Sequence, residues 1–422
     1  MKMRKKNGSF RALFTLASCA VAMMGGLAHA KCGAIDAKGE INIIGNSFPA
    51  LQHIAKEMES CAAPGFKVQF KMTPQARTET EAAFSSSGKS PFDAAVVAMG
   101  VYANLQSKNQ LLPLTKLVEK YKSKYKLEEN MLVKVNGEVM AIAFMSNAQN
   151  LYYRKDLFDK HGIKVPTTYP EMVQAAALLK AKEPSIEFPI AQTFAQGVDV
   201  ATEFANLYRS LGGSFFKQGG AQPAFNDALA VQTLTIMKSI MPYMTPNAFA
   251  SNSDDVMNQF QQGRAAMGVL WASRAARMDD PAASKIVGKM EFAVAPAAKA
   301  GAKPASHLWW DGVVIPKNHA GNADAIFQVL MEALNEETTL KGNDTAVWIR
   351  SVYKPSRFGS AVSASGKAGA PIWPTEPQFN LVHAELGKVL PDALTGRIPM
   401  QKALDNAAAA YASAAKEKGF FR

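Results

Sequence analysis

NGEVMAIAFMSNAQNLYYRKDLF, running from Asn136 to Phe158, is the stretch on which the reading of the fold turns. Val139 to Met145 is an apolar run of the kind that forms a buried strand. It breaks into Ser146, Asn147, Ala148, Gln149 and Asn150, then resumes as Leu151, Tyr152 and Tyr153. Four amide or hydroxyl side chains in the middle of an apparent core strand need a reason.

The segments on either side supply an α/β context. Upstream, Ile41 to Gly45 reads as a short strand closed by glycine, and Ser47 is placed to cap a helix with Pro49 in its first turn and Leu51, Ile54, Ala55 and Met58 on one face. Phe66, Val68, Phe70 and Met72 alternate with Lys67, Gln69 and Lys71, a strand with one wet face. Asp93 to Ala98 reads as a fully buried strand. Downstream, Thr168 and Glu171 have capping-box spacing, and Met172, Ala175, Ala176 and Leu179 follow at helical period. Ser253 is placed to start a helix through Phe260 that stops at Gly263, and strands are expected at 269–271, 292–295 and 313–315. A helix follows over 323–334. From Leu381 on the chain reads helical, interrupted near Pro391 and Gly396. Strands alternating with helices predict an α/β fold with mainly parallel sheets, and 422 residues suggest two lobes rather than one core.

The first thirty residues are set apart. Lys2, Arg4, Lys5, Lys6 and Arg11 form a basic start, Ala12 to Leu27 is apolar, and Ala28-His29-Ala30 offers a small-x-small cleavage site. This is the anatomy of a secretory signal peptide, and the apolar run falls short of the ~20 residues a membrane span needs. Cleavage is expected after Ala30. The alternative is lipid anchoring at Cys19, where Leu16-Ala17-Ser18-Cys19 resembles a lipobox. Removing 1–30 takes away five basic residues and no acidic one, lowering the net charge from +12 to +7. The lysines are dispersed, which argues for a solvated surface and against a nucleic-acid face. Cys32 and Cys61 remain, and two cysteines in an exported chain suggest a disulfide, with two free thiols as the alternative.

Enzyme signatures find little purchase. SSSGKS ends like a phosphate-binding loop, but Ala83 stands where its first glycine is required. Gly45-Asn46-Ser47-Phe48-Pro49 lacks the second glycine of a nucleophile elbow. The histidines at 53, 161, 307, 319 and 383 have no metal-ligand spacing, and no metal or cofactor is expected. A triad assembled in space would leave no trace in sequence order.

Four segments in register resemble the family 1 extracellular solute-binding proteins, the maltose-binding-like receptors of bacterial ABC importers. They are NGEVMAIAFMSNAQNLYYRKDLFDKHGIKVPTTYPEM, FQQGRAAMGVLWAS, WWDGVVIPKNHAGNADAIFQVLMEAL and ALTGRIPMQKALDNA. The resemblance covers 33–422 and implies a type II-like periplasmic-binding-protein fold of two α/β lobes, joined by strands that cross between them. It assigns 33–145 plus 295–345 to the N-terminal lobe and 146–294 plus 346–422 to the C-terminal lobe. Ser146 to Asn150 then lies on the floor of a cleft, within reach of a polar ligand.

The ligand contacts implied are Asn46 and Ser47 after the first strand, Asp93, Tyr102 at the rim, Asn147, Trp271, Trp309, Trp310, Asp311 and Arg350. Each has a structural alternative: Ser47 as a helix cap, Asp93 as a buried structural acid, Trp271 as core filler. Alternation makes one of Trp309 and Trp310 face the cleft and the other pack inward. Trp348 is divided evenly with Arg350 between cleft and core, and Trp373 reads as core or lip. Glu79 and Arg77 read as a solvated helix face with one of them near ligand, and His383 as an aromatic contact. Asn147 stands where relatives place an acidic contact, so the same sugar is not implied.

Sugars present hydroxyl edges and apolar C–H faces, which pairs planar polar groups with aromatic platforms. The expectation is therefore a monomeric, exported receptor for a carbohydrate or polyol that closes by hinge bending and delivers its ligand to membrane permease subunits. One alternative is an anionic ligand such as a sugar phosphate, sulfonate or acidic oligosaccharide, held by Arg350 and Arg274. The other is a secreted glycan-processing enzyme, for which Asp93 and Asp311 are the candidate acids.

Overall fold

A computed structural model describes residues 32, 35, 38–218 and 220–421. The expected signal peptide, its cleavage site and Cys19 lie outside the described residues. In chain order the strands are β1 (Gly39–Gly45), β2 (Phe66–Met72), β3 (Ala94–Ala98), β4 (Leu132–Val135), β5 (Glu138–Asn147), β6 (Gln149–Arg154), β7 (Phe188–Ile190), β8 (Ala265–Trp271), β9 (Met290–Val294), β10 (Trp309–Val314) and β11 (Val347–Trp348). They form two sheets. The first runs β11-β5-β10-β3-β1-β2 with β4 also on β5, and the second runs β7-β8-β6-β9.

Local chemistry accounts for the first elements. In β2, Phe66, Val68 and Phe70 are buried and Lys67, Gln69 and Lys71 exposed, as strand alternation requires, but Met72 at the strand end is exposed rather than on the buried face. Asn136 and Gly137 both have positive φ (51° and 83°), the two-residue turn that joins β4 to β5 with the twist of the strands. Thr168 and Glu171 form the expected capping box at the start of the helix Tyr169–Lys182. Two other starts differ from expectation. Ser47 caps nothing: its N–H donates to Asn46 Oδ1, and Phe48 holds the cap position without a side-chain bond. Asn252, one residue before Ser253, caps the helix Ser253–Gln261 through a capping box with Asp255. Cys32 and Cys61 are joined by a disulfide.

The opening stretch is a bridge between the two sheets. β5 ends at Asn147 in the first sheet and β6 begins at Gln149 in the second, with Ala148 alone between them. This crossing also explains why the sheets are mixed rather than mainly parallel. β1, β2 and β3 run parallel, but β5 leaves the first lobe while β10 returns to it, so β10 is antiparallel to both β5 and β3. In the second sheet only β7 and β8 are parallel, and β6 is antiparallel to β8 and β9. The lobe boundaries also lie later than 295 and 345. Ala298 and Ser306 still bond to Ser210 and Gln149 of the second lobe. Trp348 pairs with Met145 and packs in the first-lobe core.

The helix Phe379–Thr395 runs unbroken through Pro391 and ends at Gly396, which has φ +79°. Proline has no N–H, so the carbonyl four residues back loses its helical donor. That carbonyl belongs to Gly387, and it accepts the N–H of Gly197 instead (3.3 Å). A Cβ on Gly387 would stand 2.4 Å from Gly197 O, so only glycine permits the approach. Gly197 itself has φ +96° and introduces the helix Val198–Ser210. The pair thereby fixes where that helix begins.

Candidate functional site

A cavity of about 330 Å³ lies between the lobes. Its walls follow from strand register. Asn147 pairs with Trp309 at the end of β5, and Gln149 pairs with Trp271 at the start of β6, so each sheet brings one tryptophan to the crossing. Trp309 and Asp311, two apart on β10, face the cavity, while Trp310 between them turns away and packs on Tyr102 at 5.1 Å. The register of β10 against β5 shifts between Asp311 and Gly312, a bulge of the kind that re-aims side chains beside functional sites.

Three indoles form one aromatic wall. Trp309 stacks on Trp373 with centroids 4.2 Å apart and meets Trp271 edge-on at 5.3 Å. Trp373, expected as core or lip, is buried yet lines the cavity. The ring contacts fix the indoles against one another, and all three line the cavity, which suits the apolar C–H surfaces of a ligand.

The polar wall is made from both lobes. Asn147 Oδ1 accepts from the N–H groups of Ala148 (3.0 Å) and Ser273 (3.3 Å), and its Nδ2 donates to Ser273 Oγ (3.3 Å). Its oxygen is thus engaged by the backbone, and the amide hydrogens are what it can offer. Asp311 is only 9% exposed, and no described residue donates a hydrogen bond to it. Burial pushes its carboxyl from 3.8 to about 7, with Arg274 pulling the other way. Asp199, in the first turn of the helix that Gly197 introduces, lines the cavity from the second lobe. Burial and then the carboxylates of Asp255 and Asp254 raise it to about 6.

His383 Nε2 lies 3.1 Å from Thr202 Oγ1, whose own proton goes to Val198 O (2.8 Å). The imidazole therefore donates through Nε2 and presents Nδ1 as an acceptor. Burial, with Arg77 adding to it, lowers its pKa to about 3 and keeps the ring neutral. Arg274 reaches Asp254 (3.5 Å) and lies over the Phe48 ring of the first lobe at 5.5 Å. Arg77 joins the lobes at the other side by donating to Asn380 Oδ1 (3.3 Å).

Of the residues expected in the site, Asn46, Asn147, Trp271, Trp309 and Asp311 come together around this cavity. Five do not. Ser47 is exposed and accepts from Gln52 Nε2 (3.2 Å). Asp93 is a structural acid, accepting from the N–H groups of Asn42, Ala320 and Gly321 at 2.8–3.0 Å. Tyr102 and Trp310 pack on each other away from the cavity. Arg350 is buried in the first lobe, where Nη1 and Nη2 donate to Lys126 O and Tyr125 O (both 2.9 Å) and Nε to Leu334 O. It closes off the carboxyl end of the helix Thr115–Tyr125, and its charge suits that end of the helix dipole. Trp348 is core, donating to Gly342 O (2.8 Å). Glu79 is tied to Lys71, outside the cavity.

Gln149 and Asn150, expected on the cleft floor, turn into the second lobe. Gln149 Nε2 donates to Glu203 (2.8 Å), which also accepts from Gln192 Nε2 (2.7 Å) and Thr193 Oγ1 (2.5 Å). Asn206 donates to Gln149 Oε1 and accepts from His307 Nδ1 (2.5 Å), and His307 abuts Trp373 edge-on at 5.1 Å. Burial raises Glu203 to about 7 and lowers His307 to about 3. This network stands behind the aromatic wall. Asp199, Phe48, Thr202, Ser253, Ser273 and Asn380 line the cavity without having been singled out. The usable signal for Asp199 was a glycine followed within two residues by an acid at a helix start.

Comparison with known proteins places this geometry. Residues 45–337 match the family described as bacterial extracellular solute-binding proteins. A mannitol-binding protein of Pseudomonas aeruginosa is 24% identical over 310 residues, 67% of this chain and 70% of its own length. Among solved structures, a solute-binding protein of Agrobacterium radiobacter in complex with ribitol superposes with a TM-score of 0.74 at 23% identity, over 88% of this chain and 98% of that one. One of Agrobacterium vitis with bound D-mannitol gives 0.76 at 19%, over 91% and 100%. The maltose-bound MalE3 of T. maritima gives 0.76 at 21%, over 88% and 99%. At these identities the structures establish a shared two-lobed fold.

Proposed function

The chain belongs to the bacterial extracellular solute-binding proteins, and we propose that it is the substrate-binding receptor of an ABC importer, taking a carbohydrate or polyol into the interlobe cavity. The observation that carries this reading is the pairing of the two walls. The stacked indoles of Trp309 and Trp373, with Trp271 edge-on to Trp309, share the cavity with hydrogen-bonding groups that lack protein partners, Asp311 above all. Ring faces suit C–H surfaces and the carboxylates accept from hydroxyls, a combination that fits a polyhydroxylated molecule. The polyols and sugars bound by relatives of the same fold support it.

The working step is closure. Both lobes contribute to the cavity, and side chains meet across it through Arg77 with Asn380 and Arg274 with Phe48. A ligand that touches Asp311 on one lobe and Trp271 on the other stabilises the closed arrangement over the open one, which is hinge-bending recognition. The permease subunits of the membrane complex then read the closed form. The reading includes a leader cleaved after Ala30, which delivers the receptor to the periplasm, and it includes no covalent chemistry.

The test is a thermal-shift screen of Lys31–Arg422, stripped of ligand by unfolding and refolding, against monosaccharides, disaccharides, polyols, sugar phosphates and acidic sugars. A ligand at a hundred times its Kd stabilises by ~2.7 kcal/mol. A sugar or polyol hit that is lost in Trp271→Ala supports the proposal. Hits restricted to anions, or turnover of a glycoside by the purified chain, would overturn it.

A further inference from the structure

The charges around the cavity are unequally satisfied. Its two cations each have a protein partner, although Arg274 Nε makes no hydrogen bond. Arg274 pairs with Asp254 and covers the Phe48 ring, and Arg77 donates to Glu81 Oε1 and Asn380 Oδ1, each at 3.3 Å. The two carboxylates are in the opposite condition. No described residue donates a hydrogen bond to Asp311 or to Asp199. Asp311 is more than nine-tenths buried and lines the cavity from the first lobe. Asp199 lines it from the second, beside Asp254 and Asp255 in the first turn of the helix Ser253–Gln261. His383 adds a neutral acceptor on the same lobe.

An anionic group entering here meets two carboxylates that no described residue donates to, and the one unpartnered cationic N–H among the described lining residues is Arg274 Nε, whose charge already acts on Asp311. A neutral hydroxyl satisfies one acceptor and leaves the charge at the half-buried Asp199 end of the cavity without a counter-charge. Resting on the receptor reading above, we propose that the ligand carries an ammonium group alongside its hydroxyls: an amino sugar or an amino-substituted polyol. Its cationic nitrogen sits at the Asp199 end of the cavity, and its hydroxyls face Asp311 and Asn147. The indoles suit such a molecule twice over, since tryptophan is the best of the ring faces for a cation and also packs on C–H groups. The ammonium supplies three donors at the Asp199 end, where the carboxylate and His383 Nδ1 are acceptors, while the unpartnered Trp309 Nε1 and the Asn147 amide are left to donate to hydroxyl oxygens.

The experiment is isothermal titration of the ligand-stripped chain at pH 7 with matched pairs: 1-amino-1-deoxysorbitol against sorbitol, and 2-amino-2-deoxyglucose against glucose, with the N-acetyl derivative of each amine as an uncharged control. The amine of at least one pair is expected to bind ten-fold or more tighter than its hydroxyl parent and its N-acetyl form. In Asp199→Asn that ratio is expected to fall below about three-fold, whatever happens to the affinity of the parent. Equal or tighter binding of the neutral member overturns the inference and leaves the receptor reading standing. So does a ratio unchanged in Asp199→Asn. If no member of any pair binds and the wider screen is also empty, both fall together.

Discussion

Asp311→Asn is expected to make the empty protein more stable, and only above a defined pH. The carboxyl is buried, accepts no hydrogen bond from a described residue, and is raised from 3.8 to about 7 in the folded state. In the unfolded chain it ionises near its ordinary value. Between those two values the folded state holds a proton that the unfolded state has released, so folding stability falls as pH rises through the window. At ~1.4 kcal/mol per pK unit the loss is on the order of 4 kcal/mol once pH exceeds about 7. Asparagine has nearly the same shape and does not titrate. Spread over 422 residues at ~2.1 cal/mol/K each, the gain corresponds to about 5 °C in Tm. The assay is a series of circular-dichroism melts of the ligand-stripped wild type and variant from pH 4 to pH 8. The two should coincide near pH 4 and separate progressively to a plateau by pH 8. Asp199, Glu203, His307 and His383 also titrate, but they do so in both proteins and cancel in the difference. A Tm difference that is constant across the range, or a less stable variant at pH 8, would refute the reasoning. With ligand present the order reverses in affinity, because a charge-assisted acceptor is lost, weakening binding by roughly ten-fold or more.

Three further predictions follow from groups outside the cavity. Glu203→Ala removes the acceptor for Gln149, Gln192 and Thr193 and should cost about 3–5 kcal/mol in urea unfolding. Glu203→Gln should cost less than about 1, since Gln192, whose Oε1 has no partner, can turn its amide to meet the new one; equal costs would show that the network is not held by Glu203. Arg350→Ala leaves three carbonyls without their donor and should lower stability by about 3 kcal/mol while changing the Kd of any identified ligand less than two-fold. A ten-fold loss of affinity would bring Arg350 back into the site. Reducing the Cys32–Cys61 bond, which spans a sequence separation of 29, should lower stability by about 3–4 kcal/mol in melts with and without dithiothreitol; identical midpoints would count against it.

What could be read from the sequence was whatever depends on near neighbours. The alternation of 66–72, the Thr168–Glu171 box and the polar break at 146–150 each declare themselves within a few residues, and each corresponds to an element or crossing in the structure. Alternation also carried the statement that Trp309 and Trp310 face opposite ways, though only the partners Trp373 and Tyr102 show which is which. The rest depends on what the chain meets far away. Strand direction in each sheet is set by which lobe a strand arrives from, so the mixed pairing was invisible to a count of alternating elements. Arg350 near a crossing strand reads like a ligand contact until the helix end it closes is in view. Asp199 was passed over because the start of its helix, at Gly197, is fixed by Gly387, a residue 190 positions beyond that glycine.

That last dependence concerns Gly197, Gly387 and Pro391. A covalently ordinary helix surrenders one internal bond, and the freed carbonyl moors the start of a second helix. The two helices carry Asp199, Thr202, Asn380 and His383. Hinge bending therefore cannot change the spacing of these four groups. To an incoming molecule these two helices present their four groups already ordered, with that part of the conformational entropy surrendered during folding rather than at the moment of capture. Selectivity among similar ligands then includes fit to a spacing that was set when the chain folded.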